Sequence, residues 1–225
     1  AKLFLDALGR DDVGVNAHAD GKDDARDAGQ RQGETLKHGE VTGDKGQRSS
    51  HLTGQRDAVM MLAHGPMRVS HVTTHCPIGE VPSRITPTRL RRVFDVTLDA
   101  LECLGIDKPR LGIAALNPHA GEGGILGKED DLIIAPIIKE YVDKGYDVTG
   151  PVPGDTVFIK LRAQQFDAVV AMFHDQGHIP IKLLAPNAAS ALSIGGDALL
   201  SSVGHGSAMD IAGQGVADPT ALLRT

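Results

Sequence analysis

The chain has 225 residues, 41% of them hydrophobic and only 3% aromatic, and carries a formal net charge of −6 with a pI near 5.9. An acidic chain lacks the concentrated basic face that a nucleic-acid backbone requires, which argues against that class of partner. No apolar run approaches the roughly 18 residues of a membrane span, and the length suits one sizeable core or two smaller ones.

The opening residues, Ala1-Lys-Leu-Phe-Leu-Asp6, have too short an apolar core for a signal peptide, so a cytoplasmic location is expected. Residues 1–56 contain no Ile, Pro or Tyr and are rich in Asp, Arg, Gly, Gln and His. Low hydrophobicity with mixed charge cannot offset the entropy of ordering, so this segment reads as atypical and poorly ordered, with one short helix over 2–8. Residues 57–225 read as a separate α/β region.

Within that region, 58–63 and 66–73 are two strands punctuated by Gly65-Pro66. Thr86 is an N-cap with proline at the first helical position, and Leu90, Val93, Phe94, Thr97, Leu98, Leu101 and Leu104 keep helical spacing up to Gly105. A strand over 111–116 runs into a Gly-rich stretch, and helical spacing resumes near Glu129, with Pro136 marking a kink or a later start. Residues 150–156 read as a turn, capped by Asp155 or Thr156, into a short helix. The apolar run 166–172 is a buried strand feeding a polar loop over 172–182. Strands over 191–194 and 199–203 follow, then a short helix over 205–213 and a last helix from Asp218-Pro219. Alternating strands and helices with short Gly-rich connections predict a layered α/β/α fold around a largely parallel sheet.

Three histidines follow predicted strands: His75, His119 and His174. Neutral imidazole is a common metal ligand, and three from separate strand ends can form an open site. Their spacing fits no local metal motif, so three unrelated loop histidines remain the alternative. Asp155 and Asp175 are loop carboxylates suited to orienting a ligand or capping a helix. Lys182 can hold an anionic group by charge. Cys76 and Cys103 lack CxxC spacing and read as reduced and structural, with Cys76 placed to line a site. Two Gly-rich stretches, 120–124 and 204–208, can bring backbone N–H groups to a phosphate, although neither matches a dinucleotide or P-loop pattern.

The stretches Val72-Thr-Thr-His75, Leu116-Asn-Pro-His-Ala-Gly-Glu-Gly-Gly124, Gly150-Pro-Val-Pro-Gly-Asp-Thr156, Ala171-Met-Phe-His-Asp-Gln-Gly177 with Lys182, and Ser202-Val-Gly-His-Gly-Ser-Ala208 leading to Asp210-Ile-Ala-Gly213 occur in this order. They resemble the 4-hydroxythreonine-4-phosphate dehydrogenase family. The resemblance implies the architecture of isocitrate and isopropylmalate dehydrogenases and a homodimer with a divalent metal (zinc, magnesium, manganese or cobalt) at its interface. His75, His119 and His174 would be the ligands, two from one subunit and one from the other. It further implies substrate binding by Lys182, catalytic positions at Asp155 and Asp175, and NAD, or NADP in its place, held by Gly204, His205, Gly206, Ser207, Asp210 and Gly213. The implied reaction oxidises a secondary alcohol to a ketone β to a carboxylate, with loss of carbon dioxide, in pyridoxine biosynthesis or aromatic catabolism.

Two departures qualify the resemblance. The Gly-Asp-Pro-rich opening and the Gly-His-Thr-Glu loop usual in the family do not occur before Asp57, so an inactive, truncated relative is one alternative. Counted on from Lys182 without a gap, the positions of a substrate-binding Asn and Arg in phosphate-using members fall on Ala191 and Leu200. Residues 178–187 and 190–196 instead resemble the branch that acts on the cis-dihydrodiol of terephthalate. A histidine-metal hydrolase, without NAD dependence, is the remaining alternative.

Overall fold

The structure, a computed structural model, describes residues 58–185, 188–196, 199–203, 209–219 and 223. The readings made for 1–56, including the short helix over 2–8, lie outside the described residues, as do most of the last helix and positions 204–208.

Strand β1 (Val59–His64) turns through Gly65-Pro66 into the antiparallel strand β2 (Met67–His71). Gly65 sits at φ +55, a left-handed conformation that glycine adopts without a Cβ penalty. A single 3-10 turn (Ile78–Glu80) leads to the short helix α1 (Val81–Arg84), and then to α2 (Pro87–Cys103). Helix α2 starts where the sequence predicts, because the Thr86 hydroxyl accepts a hydrogen bond from the Arg89 N–H at 3.2 Å and Pro87 occupies the first turn. Its apolar stripe is buried along its length, from Leu90 to Leu101.

Strand β3 (Arg110–Ala114) is followed by a tight turn over Pro118–Gly121 and a π-helical turn over Asp130–Ile134, which runs into α3 (Ala135–Asp143). Pro136 thus lies in the first turn of a regular helix, after a widened one, which resolves the expected choice between a kink and a later start. Strand β4 (Asp147–Val152) was not anticipated; Gly150 and Pro151, read as a turn, form its end. Helix α4 (Gly154–Arg162) is capped by neither Asp155 nor Thr156. Its N-cap is Pro153, which has no side-chain acceptor, and the Thr156 hydroxyl donates back to the Pro153 carbonyl at 3.1 Å. Strand β5 (Ala168–Ala171) leads into α5 (His174–Leu184), where the sequence suggested a loop. Strands β6 (Ser190–Ile194) and β7 (Leu200–Val203) complete the sheet, and a 3-10 turn covers Met209–Ile211.

The sheet order is β4-β3-β5-β2-β1-β6-β7. Neighbours β4, β3, β5 and β2 are parallel, whereas β1 runs antiparallel to both β2 and β6, and β7 antiparallel to β6. The sheet is therefore mixed, with five of the described strands pointing the same way. Successive side chains of β5 alternate between its faces. Ala168 and Val170 join a core with α2 and α3, while Val169 and Ala171 join a second core with Val157 and Leu161 of α4 and Ile181 of α5. The expected α/β/α layering follows from these two cores.

Candidate active site

Four parallel neighbouring strands send their C-terminal ends to one edge of the sheet, the usual ligand edge of open α/β sheets. Asp155 follows β4, His119 follows β3, His174 follows β5 and His75 follows β2, so spatial order along the edge is set by strand order. The strand ends are tied together mostly through main-chain atoms. The Val72 and Thr73 N–H groups donate to the Ala171 and Met172 carbonyls at 2.9 and 3.1 Å. The Thr73 hydroxyl also donates to the Met172 carbonyl at 2.9 Å, and the Arg89 Nε to the Val72 carbonyl at 2.9 Å. Gln176 joins β5 to β3. Its Oε1 accepts from the Met172 N–H at 2.6 Å, and its Nε2 donates to the Ala115 carbonyl at 2.7 Å.

His75 and His174 come together on adjacent strand ends, with ring centroids 5.5 Å apart and planes tilted by 44°. They line a cavity of about 320 Å³ with Thr74, Cys76, Phe173 and Asp175, and apolar Ile78 and Val81 complete its wall. The Asp175 carboxylate accepts from His174 Nδ1 at 2.6 Å. A carboxylate acceptor requires the proton on Nδ1, which leaves the Nε2 lone pair as the ligating atom. This donor set suits a divalent cation, with two imidazoles, one of them hydrogen-bonded to a carboxylate.

His119 lies elsewhere on the same edge, exposed, in a turn whose residues from His119 to Gly124 all have φ between +46 and +89. L-residues reach this region at a cost of about 1 kcal/mol or more each. At Gly121 a Cβ would meet the Gly127 carbonyl at 2.7 Å, so glycine is required. The turn's entry is pinned by buried Asp130, whose carboxylate accepts from the Leu116 N–H at 2.8 Å, the Asn117 N–H at 2.9 Å and Asn117 Nδ2 at 3.0 Å. Among the described residues, no three His, Cys, Asp or Glu side chains of this one chain form a metal-sized cluster. Asp155 and Lys182 are exposed, in the first turn of α4 and the last turn of α5, and do not line the cavity. Cys76 does line it, whereas Cys103 is exposed; both thiols are free. Of the expected dinucleotide segment, Asp210 lies in the 3-10 turn and Gly213 at φ +77, while Gly204, His205, Gly206 and Ser207 lie outside the described residues.

Two further histidines were given no role by the sequence reading. His71, the fully buried last residue of β2, faces His178 of α5, and His71 Nε2 lies 3.1 Å from His178 Nδ1. Burial, reinforced by the neighbouring His178, lowers the His71 pKa to about 3. Burial and then His174 lower that of His178 to about 4. Both are therefore neutral near pH 7. The i,i+4 spacing of His174 and His178 was the available signal, but it becomes visible only once 174–184 is read as a helix.

The family described as pyridoxal phosphate biosynthetic protein PdxA matches residues 37–225. A Bradyrhizobium diazoefficiens protein, provisionally named D-threonate 4-phosphate dehydrogenase, is 55% identical over 185 residues, covering 77% of this chain and 54% of the relative. A 1,2-dihydroxy-3,5-cyclohexadiene-1,4-dicarboxylate dehydrogenase from a Comamonas species is 49% identical over 166 residues, covering 74% and 52%. Among solved structures, a 4-hydroxythreonine-4-phosphate dehydrogenase from Klebsiella pneumoniae superposes with a TM-score of 0.70 at 38% identity, covering 78% of this chain and 54% of that one. The chain spans about half the length of the curated relatives it matches. Among its described residues, no helix is long and apolar enough to cross a membrane.

Proposed function

The chain belongs to the pyridoxal phosphate biosynthetic protein PdxA family, and from that premise we propose that it carries the metal- and NAD-binding half of a dehydrogenase acting on a phosphorylated hydroxy acid. The substrate class is D-threonate 4-phosphate or 4-hydroxythreonine 4-phosphate, oxidised at the alcohol carbon β to the carboxylate. The observation that carries this reading is the pairing of His75 with His174, the latter hydrogen-bonded to Asp175, in one cavity at the ligand edge of the sheet.

His75 and His174 would hold a divalent cation from this chain, with His119 contributed across a homodimer. The cation supplies Lewis-acid stabilisation of negative charge on the substrate oxygen, and NAD accepts the hydride. Asp175 would accept the His174 Nδ1 proton, leaving Nε2 as the lone-pair donor while the ring is held in this orientation. Lys182 sits outside the cavity wall, where its ammonium would meet the remote, anionic end of the substrate rather than the reacting carbon. Oxidation gives a β-keto acid, whose loss of carbon dioxide again places negative charge on the same oxygen.

A second reading, a cis-dihydrodiol dicarboxylate as substrate, is favoured by the 49% identity to the Comamonas enzyme. It is also favoured by the residues at the two counted substrate positions, Ala191 paired with Leu62 and Leu200 paired with Ser193, since neither side chain can hold a phosphate. NADH formation by the purified protein with each substrate, before and after chelation, separates the readings. Turnover that survives complete chelation would sink the histidine-metal mechanism, and turnover of the dihydrodiol alone would overturn the phosphorylated substrate.

A further inference from the structure

Three of the histidines on α5 and β2 form a continuous column with a single consistent proton arrangement. His71 Nδ1 lies 3.2 Å from the Met60 carbonyl, which can only accept, so Nδ1 carries the proton and Nε2 is an acceptor. His178 Nδ1, at 3.1 Å from that acceptor, must therefore be the donor; it also lies 3.0 Å from the His174 carbonyl and shares its proton between the two. The His178 ring stacks on the His174 ring, with centroids 3.7 Å apart and planes 14° from parallel. Each ring thus carries a proton on Nδ1.

The column supplies what Asp175 cannot. The Asp175 side chain is 71% exposed and that of His174 32% exposed. A polar contact this exposed is screened by solvent and contributes little, so it does not by itself hold a ring in one plane. The side of His174 away from solvent is covered by His178, itself anchored through buried His71 to the main chain of β1.

Helix α5 reaches β2 closely enough for this only because residue 177 is glycine. A Cβ there would run into His71 Nε2 and would lie 2.8 Å from Val69 Cγ1.

We infer that His178, seated on His71, is a positioning residue for His174, fixing its ring plane and main-chain carbonyl so that Nε2 is presented to the cavity beside His75. The inference rests on the metal-histidine reading above and extends it to residues that touch neither cation nor substrate.

The test replaces both members of the column. His71→Leu with His178→Leu removes the donor and its acceptor together, so neither ring nitrogen of the pair is left buried without the other. Zinc affinity of the purified protein is measured by competition with a chromophoric chelator. In parallel, the His174 tautomer is read from two-bond proton–nitrogen correlations of the imidazole rings. The expected result is a loss of zinc affinity of about 10–100-fold, the usual effect of removing an outer partner of a ligand, and a His174 ring that becomes a mixture of tautomers. His178→Phe keeps a ring against His174 but loses the anchor to His71 and the bond to the His174 carbonyl, so it serves if the double variant does not fold; a tautomer mixture and weaker zinc binding are expected there also. Unchanged zinc affinity together with a single Nδ1–H tautomer at His174 in a folded variant overturns the proposal. The tautomer reading decides even if the parent binds no zinc, an outcome that would refute the metal reading itself, as would a His75→Ala variant with unaltered affinity.

Discussion

Gly177→Ala tests whether the close approach of α5 to β2 sets the histidine column. In an ordinary helix the change adds about 1 kcal/mol of stability, because alanine loses less backbone entropy than glycine. Here the new methyl would lie 2.8 Å from Val69 Cγ1 and 3.1 Å from the Ala171 Cβ, and closer still to His71 Nε2. Carbon atoms pack comfortably at about 3.5–4.0 Å, so the helix must retreat by roughly 1 Å. Overpacking of this kind costs about 1–3 kcal/mol. The same retreat stretches the His178–His71 bond, now 3.1 Å, beyond hydrogen-bond range and leaves His71 Nε2 buried and unpaired, for about 1–3 kcal/mol more. The net expectation is destabilisation by about 1–5 kcal/mol, read as a lower urea midpoint with an unchanged slope. A midpoint equal to or above the parent's would refute the reasoning, since the helix-propensity gain would then have met no steric cost.

Asp130→Ala leaves the Leu116 and Asn117 N–H groups without their acceptor and should cost about 2–5 kcal/mol; an unchanged urea midpoint would show that the turn bearing His119 is held by other contacts. Gln176→Glu keeps an acceptor for the Met172 N–H but sets an oxygen against the Ala115 carbonyl, so a loss of about 1–3 kcal/mol is expected by the same assay, and parent-like stability would deny the cross-link between β5 and β3. Stability should also fall with acid. The His71 pKa is lowered from 6.5 to about 3 on folding, so the unfolded chain binds the extra proton between those values, while the contribution is fully present above pH 6.5. Each such histidine sets a slope of up to about 1.4 kcal/mol per pH unit. Denaturation midpoints that do not move as the pH falls from 6.5 to about 5, roughly the upper half of that window, would contradict a neutral buried pair.

Much of this architecture was legible because its strands are apolar and its helices punctuated. Helix α2 shows both, with Thr86-Pro87 at its start and a buried stripe from Leu90 to Leu101. Strand β4 was hidden: it is an edge strand in which Val148 and Val152 are the buried residues, and Gly150-Pro151 reads locally as a turn. Helix α5 was hidden by Gly177 and Pro180, residues that oppose helix in isolation. Its Gly177 is there for contact with β2, a tertiary requirement that local propensity cannot express. For the site, the strand-end positions of His75, His119 and His174 followed from the predicted strands, and the structure brings the first and third together. The His71–His178 pair could not follow, since its partners are 107 residues apart and meet only through the packing of a helix on a strand.

The ties that hold the strand ends have a consequence for how such a site can diversify. Gln176, Arg89, Thr73 and Asp130 all grip peptide groups: the carbonyls of Ala115, Val72 and Met172, and the N–H groups of Met172, Leu116 and Asn117. A peptide group is the same whatever side chain it carries. Exchange of the substrate-facing side chains therefore leaves this framework undisturbed, and a lineage can change what it accepts without rebuilding where its histidines stand. Relatives named for a sugar-acid phosphate and for a cyclohexadiene dicarboxylate, both well matched to this one chain, are what such a division between frame and surface allows.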